Sequence, residues 1–230
     1  MQRIVVNFCR MGFTVLVLSI GWTGCKSNLR PLTKPPNGNS LESTANAERG
    51  ELLFEDLPCT TCHDGPSRGV NVPPGLEFAG NKFQRDWLER YLLDPYPIRW
   101  VDTNTRPDKK MPDLDLTSQQ AKDLVAFLMT EKDEVRLPPT NIDWSLSDST
   151  QIAKGRKLVD QYACTGCHII ENEGTKLGPE LTRVGSKLQP DYIYRFLLNP
   201  KQVIPETPMK DNQLWEDEAE AITRYLITLQ

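Results

Sequence analysis

Two five-residue stretches carry the chemistry of this chain: Cys59-Thr60-Thr61-Cys62-His63 and, 105 positions later, Cys164-Thr165-Gly166-Cys167-His168. Two thiols separated by two residues can add across the two vinyl groups of one porphyrin, and an imidazole just beyond them is placed to take the iron's fifth position. A Cys-x-x-Cys pair is also half of a zinc site, or a redox dithiol. Neither use accounts for the histidines, because the chain has 2 in 230 residues and each stands directly behind a cysteine pair. The spacing therefore predicts two haem c groups, one on Cys59 and Cys62 and one on Cys164 and Cys167, with His63 and His168 as iron ligands.

With both histidines used, the opposite face of each iron is left to methionine, to another donor such as lysine, or to no side chain at all. Beyond the N-terminal segment only Met111, Met129 and Met209 remain. Met129 lies in an apolar helical run and reads as core. Met111 and Met209 follow loop sequence rich in proline and lysine and are the predicted sixth ligands, with Lys109 and Lys110 as competitors of Met111 at high pH. A His/Met iron has no position for oxygen, peroxide or nitrite, and thioether ligation favours the ferrous state. The competent reaction is then one-electron transfer, with no small-molecule substrate and no catalytic residue.

The elements that must position these groups occur twice. At an offset of 105, Gly50 matches Gly155, Pro74 matches Pro179, Gly80 and Lys82 match Gly185 and Lys187, and Leu92-Leu93-Asp94-Pro95 matches Leu197-Leu198-Asn199-Pro200. The offset then falls to 98, pairing Met111 with Met209 and Phe127 with Tyr225, so the first copy has 7 extra residues before its methionine. Internal repetition on this scale marks two copies of one structural unit. Helical spacing predicts a first helix over 48–57 and 152–162, a middle helix over 83–93 and 190–198, and a last helix opened by a Thr117/Gln120 capping box and running to about 130. The counterpart of that last helix runs from near 214 to the end, with Glu216, Asp217, Glu218 and Glu220 in its first turns, where the helix dipole favours negative charge. The fold class is all-α.

Both halves resemble class I c-type cytochromes, and the resemblance covers nearly everything from residue 46 onward. Its sharpest part is Asn199-Pro200-Lys201-Gln202-Val203-Ile204-Pro205-Glu206-Thr207-Pro208-Met209, which is similar to the loop delivering that family's axial methionine. The resemblance implies that the carbonyls of Pro74 and Pro179 receive the Nδ1 hydrogens of His63 and His168, orienting each ring and raising its basicity. It also implies that Gly50 and Gly155 let the first and last helices cross closely, against Phe127 and Tyr225, with a different crossing in the second copy where Val159 stands in place of Phe54. A unit of this size buries little apolar surface, so the porphyrin doubles as its core. The expected organisation is a signal segment at 1–24, a tether at 25–45, one domain at 46–132, a linker at 133–149 and a second domain at 150–230.

Residues 1–24 have Arg3 and Arg10, an apolar run from Met11 to Ile20, and Gly21-Trp22-Thr23-Gly24 before Cys25. This pattern resembles a bacterial lipoprotein signal and implies export, lipidation of Cys25 and anchoring on the periplasmic side of a membrane. The prolines and polar residues of 26–45 suit a mobile tether. Trp144, an apolar residue in a polar linker, is expected to dock the linker against the domains. Arg99, Trp100, Arg106, Lys109 and Lys110 form a basic stretch in a half whose residues 46–132 carry 15 acids and 11 bases, a possible docking surface. With 27 basic and 31 acidic side chains the chain lacks the footprint of a nucleic-acid binder. These features favour an exported, tethered electron carrier acting between redox protein partners. A fixed cytochrome subunit of a respiratory or oxidoreductase complex is the alternative. A di-haem enzyme such as a peroxidase would need an open iron or further histidines.

Overall fold

The computed structural model describes residues 45–63, 75–98 and 111–230. The N-terminal segment with Cys25, Pro74, and the stretch holding Arg99, Trp100, Arg106, Lys109 and Lys110 lie outside the described residues. Among the described residues no helix is long and apolar enough to cross a membrane.

The first half opens on α1 (Ala47–Asp56), whose N-cap Asn46 accepts from the Arg49 amide. A single turn, α2 (Cys59–Cys62), follows at once. A second short turn, α3 (Ala79–Lys82), leads into α4 (Arg85–Leu93), and the half closes with α5 (Ser118–Leu128). The Thr117 hydroxyl accepts from the Gln120 amide while the Gln120 side chain accepts from the Thr117 amide, so the predicted capping box is formed. In the second half α6 (Ser149–Gln161) starts from Asp148, which caps the amides of Thr150 and Gln151. A 3-10 turn (Cys164–Gly166) and a two-stranded hairpin, β1 (Ile169–Ile170) and β2 (Glu173–Gly174), come next. Then follow α7 (Val184–Lys187), α8 (Pro190–Leu198), α9 (Pro200–Val203) and α10 (Glu216–Leu226). The hairpin departs from the all-helical expectation. Its turn is made by Glu171 and Asn172, both at positive φ (50° and 71°), the geometry a two-residue turn between twisted strands demands.

The first and last helices of each half cross at a glycine. A Cβ on Gly50 would meet the Asp123 carbonyl and lie 2.8 Å from the Phe127 Cβ, and one on Gly155 would meet the Ala221 carbonyl and lie 3.0 Å from the Ile222 nitrogen. The expected difference between the crossings is present. Phe54 and Phe127 pack with ring centroids 5.4 Å apart, whereas Tyr225 donates its hydroxyl to Glu171 of the hairpin turn at 3.0 Å. Burial, and then that carboxylate, push the Tyr225 phenol up to about 12.

The two crossings are also tied by different charges. Asp123 is 3% exposed and accepts from Arg49 Nε and Nη2 (2.8 Å each), the Asn46 amide (2.8 Å) and the Gln119 side chain (3.0 Å). Burial alone would raise this carboxyl, but those donors and the guanidinium charge outweigh it and hold it below its ordinary 3.8. A carboxyl depressed in the folded state stabilises the fold above the unfolded value, and that stability is lost as pH falls through the folded value. The second half has Ala221 at the matching position and an exposed Lys154–Asp217 pair at 2.7 Å instead. Acid should therefore loosen the first crossing before the second. Asp123→Asn is expected to lower the melting temperature at pH 7 and to flatten its fall below about pH 4, as thermal melts across pH would show.

The halves meet along a short seam. Phe83 and Leu188 form an isolated antiparallel bridge, flanked by Gln84 N–H donating to Lys187 O and Gln189 N–H donating to Lys82 O, both at 2.9 Å. The Gln84 side chain donates to Leu188 O at 3.1 Å and the Gln189 side chain to Phe83 O at 3.0 Å. Above the bridge, the Lys82 ammonium lies 5.3 Å from the Tyr192 ring centre and the Lys187 ammonium 5.1 Å from that of Trp87. Every contact has its mate 105 positions away, which is the reciprocity of a twofold interface between two copies, here within one chain. It also explains why the middle helix of the first half starts at Arg85 and not at Phe83, whose backbone is used by the bridge.

The linker is docked, and on one side of the seam. Leu137 is 3% exposed in a cluster with Phe78, Tyr192, Val203 and Ile204. The Asn81 side chain holds both ends of this turn, accepting from Asp133 N–H at 2.8 Å and donating to Leu137 O at 3.4 Å. Arg136 pairs with Glu77 at 3.1 Å, and Arg195 Nε donates to Pro138 O at 3.1 Å. Trp144 anchors the far end by donating to Asp191 at 2.7 Å, with the Arg224 guanidinium 5.4 Å from its ring centre.

Candidate functional site

The four cysteines of the two motifs are in no disulfide; Cys59 and Cys164 are half-buried, Cys62 and Cys167 exposed. Burial pushes the Cys59 and Cys164 thiols up. Among the described residues no group of three or more His, Cys, Asp or Glu side chains converges as a zinc site would require. Paired thiols, an adjacent imidazole and a loop methionine are the groups with which a covalent haem would be held.

The second site is the more fully described. α6 ends at Gln161, and Ala163 in the left-handed region (φ 51°) turns the chain into the Cys164–Gly166 turn. The motif is then closed from outside by the hairpin segment: Thr175 N–H donates to Thr165 O at 3.1 Å, the Thr175 hydroxyl to Gly166 O at 2.7 Å, and Gly178 N–H to Cys167 O at 2.6 Å. His168 Nδ1 lies 2.7 Å from Pro179 O. A carbonyl oxygen only accepts, so Nδ1 carries the proton, and Nε2 is left with its lone pair free to bind a metal. The Leu181 amide donates to Ile169 O at 2.8 Å, fixing the same segment one step further on. Cys164, Leu181 and Met209 all pack against the core cluster of this half, which holds Leu197, Ile222 and Leu226. Met209 is half-buried, at the end of a loop that α9 starts and the Asn199 side chain caps by accepting from Gln202 N–H at 3.0 Å.

In the first site α1 and α2 carry Cys59, Cys62 and His63, and Met111 packs against the core cluster built on Trp87, Leu92, Leu124 and Leu128. Pro74, the predicted partner of His63, lies outside the described residues.

Gly178 was not singled out in the sequence. A Cβ there would lie 2.5 Å from Cε1 and 2.7 Å from Nδ1 of His168, so the glycine leaves the space in which the imidazole stands. The repeat hides this residue, since its counterpart in the first half is Pro73. The usable signal was a glycine directly before the proline that orients the ring. Gly178→Ala is expected to turn the His168 ring and stretch the bond to Pro179. The electron paramagnetic resonance of the oxidised second centre should move while that of the first stays in place.

Residues 47–132 match the family model "Cytochrome c", and residues 150–226 match "Cytochrome C oxidase, cbb3-type, subunit III". No curated protein sequence matches. Among solved structures, a chain of the Kuenenia stuttgartiensis reducing HAO-like protein complex is similar at 18% identity and a TM-score of 0.36, over 81% of this chain and 98% of that one. Cytochrome c domains bind haem c, serve electron transfer and are typically extracytoplasmic. With one such match in each half, the chain is a c-type cytochrome of two domains.

Proposed function

We propose that this cytochrome carries single electrons between redox proteins through two haem c groups, outside the cytoplasm and tethered to a membrane through a lipidated Cys25. The domains are 46–132 and 150–230, with 1–24 as signal, 25–45 as tether and 133–149 as linker. Cys59 and Cys62 hold one haem and Cys164 and Cys167 the other. His63 and Met111 would hold the iron of the first, and His168 and Met209 that of the second, with Pro74 and Pro179 orienting the imidazoles. Haem c bound there supplies one-electron iron redox chemistry.

The observation that carries this reading is the 2.7 Å contact of His168 Nδ1 with Pro179 O, which turns Nε2 into the ligand nitrogen and raises its basicity. The protein's own residues do the rest by holding geometry constant. The hairpin and Gly178 fix the imidazole, and the Asn199-capped loop fixes the thioether. Leu197, Ile222 and Leu226 keep water from the apolar side of the site. With these residues as ligands the sites would pass electrons and admit no small-molecule substrate.

The test is a mass measurement joined to an optical redox titration of the full-length protein. The expected result is two covalent haems, two one-electron steps, the weak sulfur-to-iron band when oxidised and no carbon monoxide binding by the reduced protein at neutral pH. One haem, or carbon monoxide bound at neutral pH, would overturn it. Globomycin-sensitive processing and fatty-acid labelling that vanishes in Cys25→Ser would test the anchor separately.

A further inference from the structure

The turn between β1 and β2 contains a residue that the turn itself does not want. Both central positions have positive φ, 50° at Glu171 and 71° at Asn172. Asn, Asp and Gly are the residues suited to those places, so Asn172 fits and Glu171 does not. What Glu171 gains lies outside the hairpin. Its Oε2 accepts from the Tyr225 hydroxyl of α10 at 3.0 Å and pairs with Arg156 Nη2 of α6 at 3.2 Å. Tyr225 is 5% exposed, so its hydroxyl depends on this partner, whereas the Arg156 pair is exposed and adds little by itself.

The tip held in this way stands three residues after His168, and the strand returning from it presses on the Cys164–His168 motif. A Cβ on Gly174 would meet the His168 carbonyl and lie 2.7 Å from Thr165 O. The next residue, Thr175, bonds to Thr165 and Gly166, Gly178 donates to Cys167, and Pro179 accepts from the imidazole. Glu171 is therefore the point at which both crossing helices reach the segment that orients the ring. The first half has no residues for the same tie, since Tyr225 matches Phe127, Arg156 matches Glu51 and Glu171 matches Pro66.

We propose that Glu171 is a positioning residue for His168: by fastening the hairpin tip to Tyr225 and Arg156 it fixes the imidazole's orientation, in the second domain only. The proposal rests on the reading of His168 as an iron ligand. The tie makes the ligand geometry of one centre depend on the crossing of α6 and α10, while the other centre is set without it.

The test uses the full-length, haem-loaded protein with Glu171→Asn, Glu171→Gln and Tyr225→Phe. Asn suits the positive φ better than Glu, but its side chain is one methylene shorter and loses the reach to Tyr225. Gln keeps the reach and the single oxygen that both donors share. Both substitutions remove the same charge, so the difference between them reads geometry and not the field of a carboxylate. In Glu171→Asn, and more weakly in Tyr225→Phe, the electron paramagnetic resonance of the oxidised second centre is expected to move while the first stays in place. The Thr175 and Gly178 amides should exchange hydrogen about tenfold faster in the same variants. Glu171→Gln should stay near the parent in both measurements. An unmoved second centre in Glu171→Asn would overturn the proposal, whatever the exchange. So would equal effects of Asn and Gln, or equal shifts at both centres. A parent protein whose mass lacks the second haem would instead refute the reading of His168 as a ligand, an outcome that the mass alone identifies.

Discussion

Replacing Gly155 with valine should cost the second half about 3 kcal/mol or more, at the upper end of what a single overpacking change costs. The first carbon of any side chain there enters the Ala221 carbonyl and comes within 3.0 Å of the Ile222 nitrogen. Both are backbone atoms of α10, whose Ala219, Ala221 and Ile222 are at most 1% exposed, so the helix has nowhere to retreat. α6 runs straight into the haem-attachment turn and α10 supplies core beside Met209, so opening this crossing separates the two sides of the site. Differential scanning calorimetry should show one transition falling by tens of degrees, with low yield of the doubly loaded protein. A melting temperature within a few degrees of the parent would refute the close crossing.

The second large effect is a gain. Met209→Ala removes the thioether predicted to close one face of the second iron, while the imidazole opposite is still held by Pro179 and backed by Gly178. The reduced parent protein is expected to bind no carbon monoxide at neutral pH, and the variant one equivalent. Its second potential should fall, because thioether ligation favours the ferrous state. Met111→Ala should do the same for the first centre alone. If neither variant gained carbon monoxide binding, methionine would not be the sixth ligand and Lys109 or Lys110 would become the candidates to test at the first centre.

Much of this molecule could be read from types and spacings. The motifs are local, so two thiols and an imidazole within five positions announce their chemistry without any knowledge of the fold. The capping box at Thr117 and the helical spacing of α4 and α8 are local too. The glycine crossings were legible through the resemblance to class I c-type cytochromes, with the repeat placing Gly50 and Gly155 at matching positions.

What stayed hidden depends on contacts between residues distant in sequence. Asp123 looks like any helical acid until α1 brings Arg49 and Asn46 to it. Gln84 and Gln189 read as polar residues preceding a helix, and only pairing of the two halves makes each the other's backbone cap. Leu137 is one of several apolar residues in a polar linker and nothing local marks it above Trp144, although Leu137 is the more deeply buried. Gly178 was masked by its proline counterpart. In each case the residue type was compatible with solvent, and the partner lay at least 10 positions away.

The placement of the linker gives the molecule a head and a tail. Two copies joined about a twofold axis would present identical ends, and a visitor could approach either with the same result. Residues 136–140 cover the α8 side, and the first half has no second linker to cover its own α4 in the same way, so the ends become distinguishable although the seam between them is symmetric. Traffic through such a body can acquire an order, entering at one domain and leaving at the other, without any difference in the chemistry of the two centres.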